Sequence, residues 1–159
     1  MNIFSVILIL IATFLMMEFV AWFAHKYVMH GFLWSLHEDH HNQPKGFFQK
    51  NDFFFLIFAI PSWLFIMFGA IDGFDYKLWI GYGILVYGIA YFLFHEVLIH
   101  QRLKKLRKFL FGKVENKYLK AVLKAHHAHH KYLTKHPGES FGMLIFSKKY
   151  YDMANEGKK

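Results

Sequence analysis

The chain has 159 residues, of which 55% are hydrophobic, 21% aromatic and only 19% charged. That balance excludes a disordered protein and argues against an ordinary soluble one, in which about a quarter of residues are charged. The absence of cysteine removes disulfide frameworks, thiolate metal sites, iron–sulfur clusters and cysteine nucleophiles. A formal charge of +8 points to nucleic acid or to an anionic membrane surface, and its distribution decides between them.

Ile3 to Ala24 is apolar apart from small hydroxyls and one acid, Glu18. At 1.5 Å per residue this run is about 33 Å long, enough to cross a hydrocarbon layer of about 30 Å. It lacks the basic leader and the small-residue cleavage site of a secretory signal. A second run, Asp52 to Ala70, opens on a helix cap at Asn51 or Asp52 and contains Pro61. A mid-span proline is tolerated in lipid and kinks the helix rather than ending it. The third run, Leu78 to Ile99, carries Gly81 and Gly88 seven residues apart on one face, which suits close helix packing. None of the three runs has the polar stripe that a helix of a soluble bundle would show. Arg102, Lys104, Lys105, Arg107 and Lys108 alternate with Leu103, Leu106, Phe109 and Leu110 at helical spacing. This is an amphipathic helix for anionic headgroups, not a nucleic-acid reader. A further helix is predicted over Glu115 to Lys135. A loop and a short apolar strand or helix are predicted from His136-Pro137-Gly138 through FGMLIF to Lys159.

The short loop from Ile71 to Lys77 holds a single lysine; every other Lys and Arg follows the first or the third run. The positive-inside rule then places both of those segments in the cytoplasm and the N-terminus outside. The expected architecture is all-α: a single domain over residues 1–159, a multi-pass transmembrane bundle with a histidine-rich metal site on its cytoplasmic side.

The twelve histidines carry the chemistry. Ten form a pattern that occurs twice: His25-x4-His30 then His37-x2-His40-His41, and His95-x4-His100 then His126-x2-His129-His130. His127 and His136 stand outside it. In a helix, positions i, i+3 and i+4 share a face, so each triplet can aim three imidazoles at one point. Residues five apart lie some 140° apart around an α-helix, so each pair needs a helix end or a π-bulge, expected near Lys26 to Met29 and near Glu96 to Ile99. Both pairs end apolar runs on the same predicted side, so all four clusters are expected to meet there. Ten neutral imidazoles exceed the four to six ligands of one metal, and two metals are the natural count; imidazole suits iron, zinc, copper and nickel alike. The nearby acids Glu18, Glu38, Asp39 and Glu96 are expected to accept the outer ring N–H of ligand histidines. Glu18 is also a candidate for a plain helix–helix hydrogen bond. Two readings compete with a redox centre: a membrane protein that handles metal without catalysis, and an intramembrane zinc protease. The second rests on His37-Glu38-Asp39-His40-His41, which formally matches H-E-x-x-H with Glu38 as base, but it leaves seven clustered histidines unexplained.

The strings HKYVMHGFLWSLHEDHH, YFLFHEVLIHQR, AHHAHHK and ESFGMLIFSKKY resemble the membrane fatty acid hydroxylase and sterol desaturase superfamily. Within it they are similar to the bacterial non-haem beta-carotene hydroxylases; Trp34, Met29-His30-Gly31 and His100-Gln101-Arg102 carry the likeness to that branch. The resemblance covers nearly the whole chain. It implies a mixed-function di-iron oxygenase in a bacterial cytoplasmic membrane, reduced by ferredoxin or a similar donor. With O₂ it would hydroxylate beta-ionone rings, taking beta-carotene through beta-cryptoxanthin to zeaxanthin. Zinc can replace iron in a purified sample. Hydroxylation or desaturation of a fatty acyl chain or sterol is the alternative within the superfamily. A carotenoid is about as long as the ~30 Å hydrocarbon layer is thick, so its terminal ring would reach the histidine level. Trp22, Phe23, Phe32, Trp34 and Phe94 are the expected substrate lining.

Overall fold

The computed structural model describes residues 1–42 and 46–156, so residues 157–159 of the predicted tail lie outside it. The first span is α1 (Ile3–Phe23), which runs without a break into a π-helical stretch, Ala24–Phe32. The Asn2 side chain caps it by accepting the Ser5 N–H. Gly31 has non-helical dihedrals and ends the stretch, after which α2 (Trp34–His41) starts in a new direction. A single 3₁₀ turn, Lys50–Asp52, leads into α3 (Phe53–Ile71), which continues through Pro61. The expected cap differs: Asp52 makes no cap bond to α3 and instead accepts the Gln49 N–H and pairs with Arg102. The third span is α4 (Tyr76–Tyr91), capped by Asp75, and it too ends as a π-helix, Phe92–Ile99. Three short helices follow: α5 (Lys104–Phe111), α6 (Lys117–His129) and α7 (Lys148–Glu156). The helix predicted to reach Lys135 stops at His129, because the chain must turn there to bring the Leu133 carbonyl back to His30. FGMLIF is irregular, and no strand occurs among the described residues.

Among the described residues, three helical stretches are long and apolar enough to cross a membrane: Ile3–Phe32, Lys50–Ile71 and Tyr76–Ile99. The protein is therefore membrane-associated. Their outward faces carry Phe4, Ile7, Ile11, Ile57, Ile60 and Ile89 exposed, as a lipid-facing surface requires. Helix α4 is the central span, packing against both α1 and α3. Gly81 is what allows the second contact: a Cβ there would stand 2.7 Å from the Ile66 backbone nitrogen and 2.9 Å from the Ser62 carbonyl oxygen. Ser62 Oγ donates to the Gly81 carbonyl across the same gap at 2.8 Å. Gly88 was expected to pack in the same way and does not, since nothing lies within 4 Å of a Cβ built on it. A small core of Ala121, Ala125, Tyr150 and Ala154 fastens α7 onto α6.

Gly81→Val forces α3 and α4 apart and is expected to cost about 1–3 kcal/mol through overpacking, read as a lower Tm in detergent. An unchanged Tm would refute the close-approach role of this glycine.

Candidate metal centre

The two π-helical stretches carry out what the i, i+5 spacing requires. In each, a backbone N–H reaches the carbonyl five residues back: Leu33 to Val28 and His100 to His95, both at 3.0 Å. Residues five apart then share a face, and the ring centroids of His25 and His30 are 5.2 Å apart, those of His95 and His100 4.7 Å. Helices α2 and α6 supply the triplets and face each other, with His41 and His130 stacked at 4.4 Å.

The rings sort into two groups. His25, His30, His37, His41 and His129 place one nitrogen each within 4.8 Å of one another, and His40, His95, His100 and His126 do the same. His130 lies between them, its Nε2 2.8 Å from His126 Nε2 and its ring against His41. The triplets therefore do not each aim at one point. His40 leaves His37 and His41 for the second group, and His126 parts from His129. Side chains at i, i+3 and i+4 fan over roughly 100°, and two opposed fans span two points rather than one.

The outer ring nitrogens explain why the inner ones converge. His25 Nδ1–H donates to the Phe141 carbonyl at 2.9 Å, and His30 Nδ1–H to the Leu133 carbonyl at 3.1 Å. His37 Nδ1–H donates to Asn51 Oδ1 at 2.6 Å and His129 Nδ1–H to the Glu139 carbonyl at 3.0 Å. Each partner is an acceptor, so each neutral ring carries its proton outside and turns a bare Nε2 lone pair inward. Those lone pairs face one another at 3.1 Å (His25 to His37) and 3.2 Å (His30 to His129). Two lone pairs at that distance repel unless a cation lies between them. His40 Nε2, His95 Nε2 and both nitrogens of His41 are buried with no hydrogen-bond partner among the described residues. Orphaned buried acceptors are costly, and this set is what a metal centre relieves.

Of the four acids, only Glu96 touches a histidine among the described residues, its Oε1 accepting His95 Nδ1–H at 2.7 Å. Its Oε2 meets Arg102 at 2.8 Å, and Arg102 reaches on to both oxygens of Asp52 and to the Phe47 carbonyl. Arg102 therefore serves the site and not the lipid headgroups expected for it. Glu18 acts one step away. Its Oε1 gathers the backbone N–H groups of Met143, Leu144 and Ile145 at 2.8–2.9 Å, and its Oε2 accepts the Tyr87 hydroxyl at 2.7 Å. It thus pins the tail segment whose Phe141 carbonyl holds His25. Asp39 likewise works through an intermediary, accepting the Lys50 and Asn51 N–H groups of the turn that presents Asn51 to His37. Glu38 is exposed and lies outside both histidine groups, so nothing places it as the base of an H-E-x-x-H protease, although His37 and His41 share a helix and a group. As partners of the histidines, Asn51 and the three tail carbonyls are not foreseen from the sequence. Asn51 reads there only as a possible helix cap, and a backbone carbonyl has no residue signature at all.

An apolar cavity of ≈ 390 Å³ runs between α1, α3 and α4 and ends on His25, His95 and His126. Its walls include Met17, Ala21, Phe58, Ile84, Gly88 and Tyr91. None of the five expected aromatics lines it. Phe32 and Phe23 are 79% and 49% exposed on the outer surface. Phe94 packs on Phe111, Trp22 on Phe19, and Trp34 covers His30 from outside the centre at 5.2 Å. Their position next to histidines in the chain does not carry over to the cavity, because a helix turns neighbouring residues to different faces.

Residues 10–150 match the family described as fatty acid hydroxylase. The chain belongs to the fatty acid hydroxylase family. It is 40% identical to a beta-carotene hydroxylase of Pantoea ananas, over 86% of this chain and 75% of that one. It is 38% identical to a beta-carotene hydroxylase of Pseudescherichia vulneris, covering 92% and 79% of the two chains. A chloroplastic beta-carotene hydroxylase 2 of Capsicum annuum is 38% identical over 81% of this chain and 41% of its own length. No solved structure matches the chain.

In this member of the fatty acid hydroxylase family, burial of the cluster favours the neutral form of its rings. Burial pushes the His37 imidazole down to about 3 despite the Asn51 hydrogen bond, and pushes His129 and His100 down to about 2. It holds His130 at about 4 and lowers His40, His41 and His126 as well. Unfolded, these rings would bind protons near pH 6.5. Below that pH the unfolded chain holds more protons than the folded one, so acid favours unfolding. The metal-free protein is expected to be most stable above pH 7 and to lose Tm steadily as pH falls from 6.5 toward 4. A Tm independent of pH over that range would contradict buried neutral rings. Asn51→Leu removes the acceptor that orients His37 and is expected to weaken binding of added divalent iron about 10–100-fold, by titration against a chelator. Unaltered affinity would show that Asn51 does not set the ring.

Proposed function

We propose that this chain is a carotenoid ring hydroxylase, converting beta-carotene through beta-cryptoxanthin to zeaxanthin with O₂. The observation that carries the reading is the apolar cavity that opens among the lipid-facing spans and ends on histidines of the candidate centre. The names of the related hydroxylases support the ring substrate. His25, His30, His37, His41 and His129 hold one iron, His40, His95, His100 and His126 the other, and His130 stands where either can use it. Two irons held there supply the activation of O₂ that insertion into an unactivated C–H bond demands.

The residues of the chain do the rest. Apolar walls from Met17, Ala21 and Phe58 exclude water and accept a ring arriving sideways from the bilayer. The outer hydrogen bonds to Phe141, Leu133, Glu139, Asn51 and Glu96 hold the imidazoles in one tautomer and one orientation. By the positive-inside rule the centre faces the cytoplasm and the N-terminus lies outside. Lys104, Lys105, Arg107 and Lys108 of α5 then lie at anionic headgroups, with the exposed Phe109 and Leu110 immersed. Exposed Lys124, Lys131 and Lys135, on and just beyond the histidine-bearing end of α6, suit an acidic electron donor such as reduced ferredoxin.

Expression in cells that accumulate beta-carotene, followed by pigment and metal analysis, is expected to yield zeaxanthin and about two irons per chain. His37→Ala is expected to lose iron and at least 100-fold in product, whereas His127→Ala, at an exposed histidine outside both groups, keeps most of both. Unchanged pigment beside newly hydroxylated acyl lipids would favour the acyl-chain reading, and equal loss in the two variants would undo the ligand assignment.

A further inference from the structure

Of the glycines on α4, Gly81 and Gly83 are jammed against other helices, a Cβ on either meeting a neighbour at less than 3 Å. Gly88 is different. A Cβ there meets nothing within 4 Å, so neither packing nor backbone conformation calls for glycine. In a helix interior glycine is less favourable than alanine, so the open space at this position asks for another account. Ile84, Tyr91, Phe92 and His95 lie four residues before and three, four and seven residues after it, all on the same face of the helix, and all line the cavity. At 1.5 Å per residue Gly88 stands about 10 Å from His95 along the axis, between the histidines and Leu85, a lining residue that is exposed. Across the cavity Ala21 on α1 and Ala59 on α3 are also small.

We propose that Gly88 is a substrate-selecting position: the chain trailing behind the reacting ring crosses α4 over its bare backbone, and the missing side chain admits a long, rigid polyene. This rests on the carotenoid reading and adds to it the place where chain, as opposed to ring, is selected. A rigid conjugated chain cannot bend around an added side chain, whereas a ring with a short tail never reaches that depth.

Gly88→Leu and Gly88→Ala are compared with the wild type in iron-loaded membranes supplied with a reducing system. For beta-carotene, Gly88→Leu is expected to raise KM at least tenfold with kcat changed less than threefold, and Gly88→Ala to move KM in the same direction by less. Iron content is expected to be that of the wild type in both. Beta-ionone, whose tail ends short of Gly88, is expected to be handled identically by wild type and variants. An unchanged KM for beta-carotene, a fall in kcat alone, or an equal loss on beta-ionone would overturn the proposal. If Gly88→Leu fails to accumulate, the KM of Gly88→Ala decides by the same criterion. A wild-type chain that leaves beta-carotene untouched removes the carotenoid reading itself, and the proposal falls with it.

Discussion

Ten imidazole rings crowd into one buried region, and the repulsion among their inward lone pairs is the constraint to which the rest of the structure answers. Left to itself such a cluster would take up protons or water, and burial opposes the first while close packing excludes the second. What remains is a set of neutral nitrogen donors of the kind that binds borderline metal ions. Holding it together takes external hydrogen bonds: three tail carbonyls, the Asn51 amide and the Glu96 carboxylate each accept an outer N–H. Three of these acceptors are themselves held, Phe141 through Glu18 and the tail amides it gathers, Asn51 through Asp39, and Glu96 through Arg102 and Asp52.

The same constraint shapes the helices. An α-helix cannot point residues i and i+5 at one site, so α1 and α4 both unwind into π-helix where they leave their apolar spans. The cost of wider turns is offset by the contacts that the converging rings make. The spans in turn bring an apolar cavity to the edge of the histidine cluster, so that a substrate dissolved in lipid reaches a centre built from polar groups without passing through water.

The two histidine groups are not equivalent. In the first, four of five rings have their outer nitrogen fixed by an acceptor from the tail beyond α6 or the turn before α3; in the second, only His95 has such a partner among the described residues. The first group is preorganised by elements far apart in the chain, the second mainly by the π-helix of α4 and its neighbour α6.

Periodicity and composition read along the chain were enough for the three spans, their order, the two places where a regular α-helix had to give way (to a helix end or a π-bulge), and the ten histidines that gather. Each of these depends on a single helix and its environment, and the relation between spacing and facing is local. The pairing of rings into groups was not readable, because it depends on how α2 and α6 oppose one another. Nor were the partners of Glu18, the cavity lining, or the carbonyls that orient the rings. Glu18 finds its partners 69 and 125 to 127 residues away, and a carbonyl belongs to every residue alike. Sequence by itself determined which chemistry the chain carries, since residue type and local period set it; tertiary structure alone decided which nitrogen faces which neighbour, since that is a distance between segments that the chain leaves free until it packs.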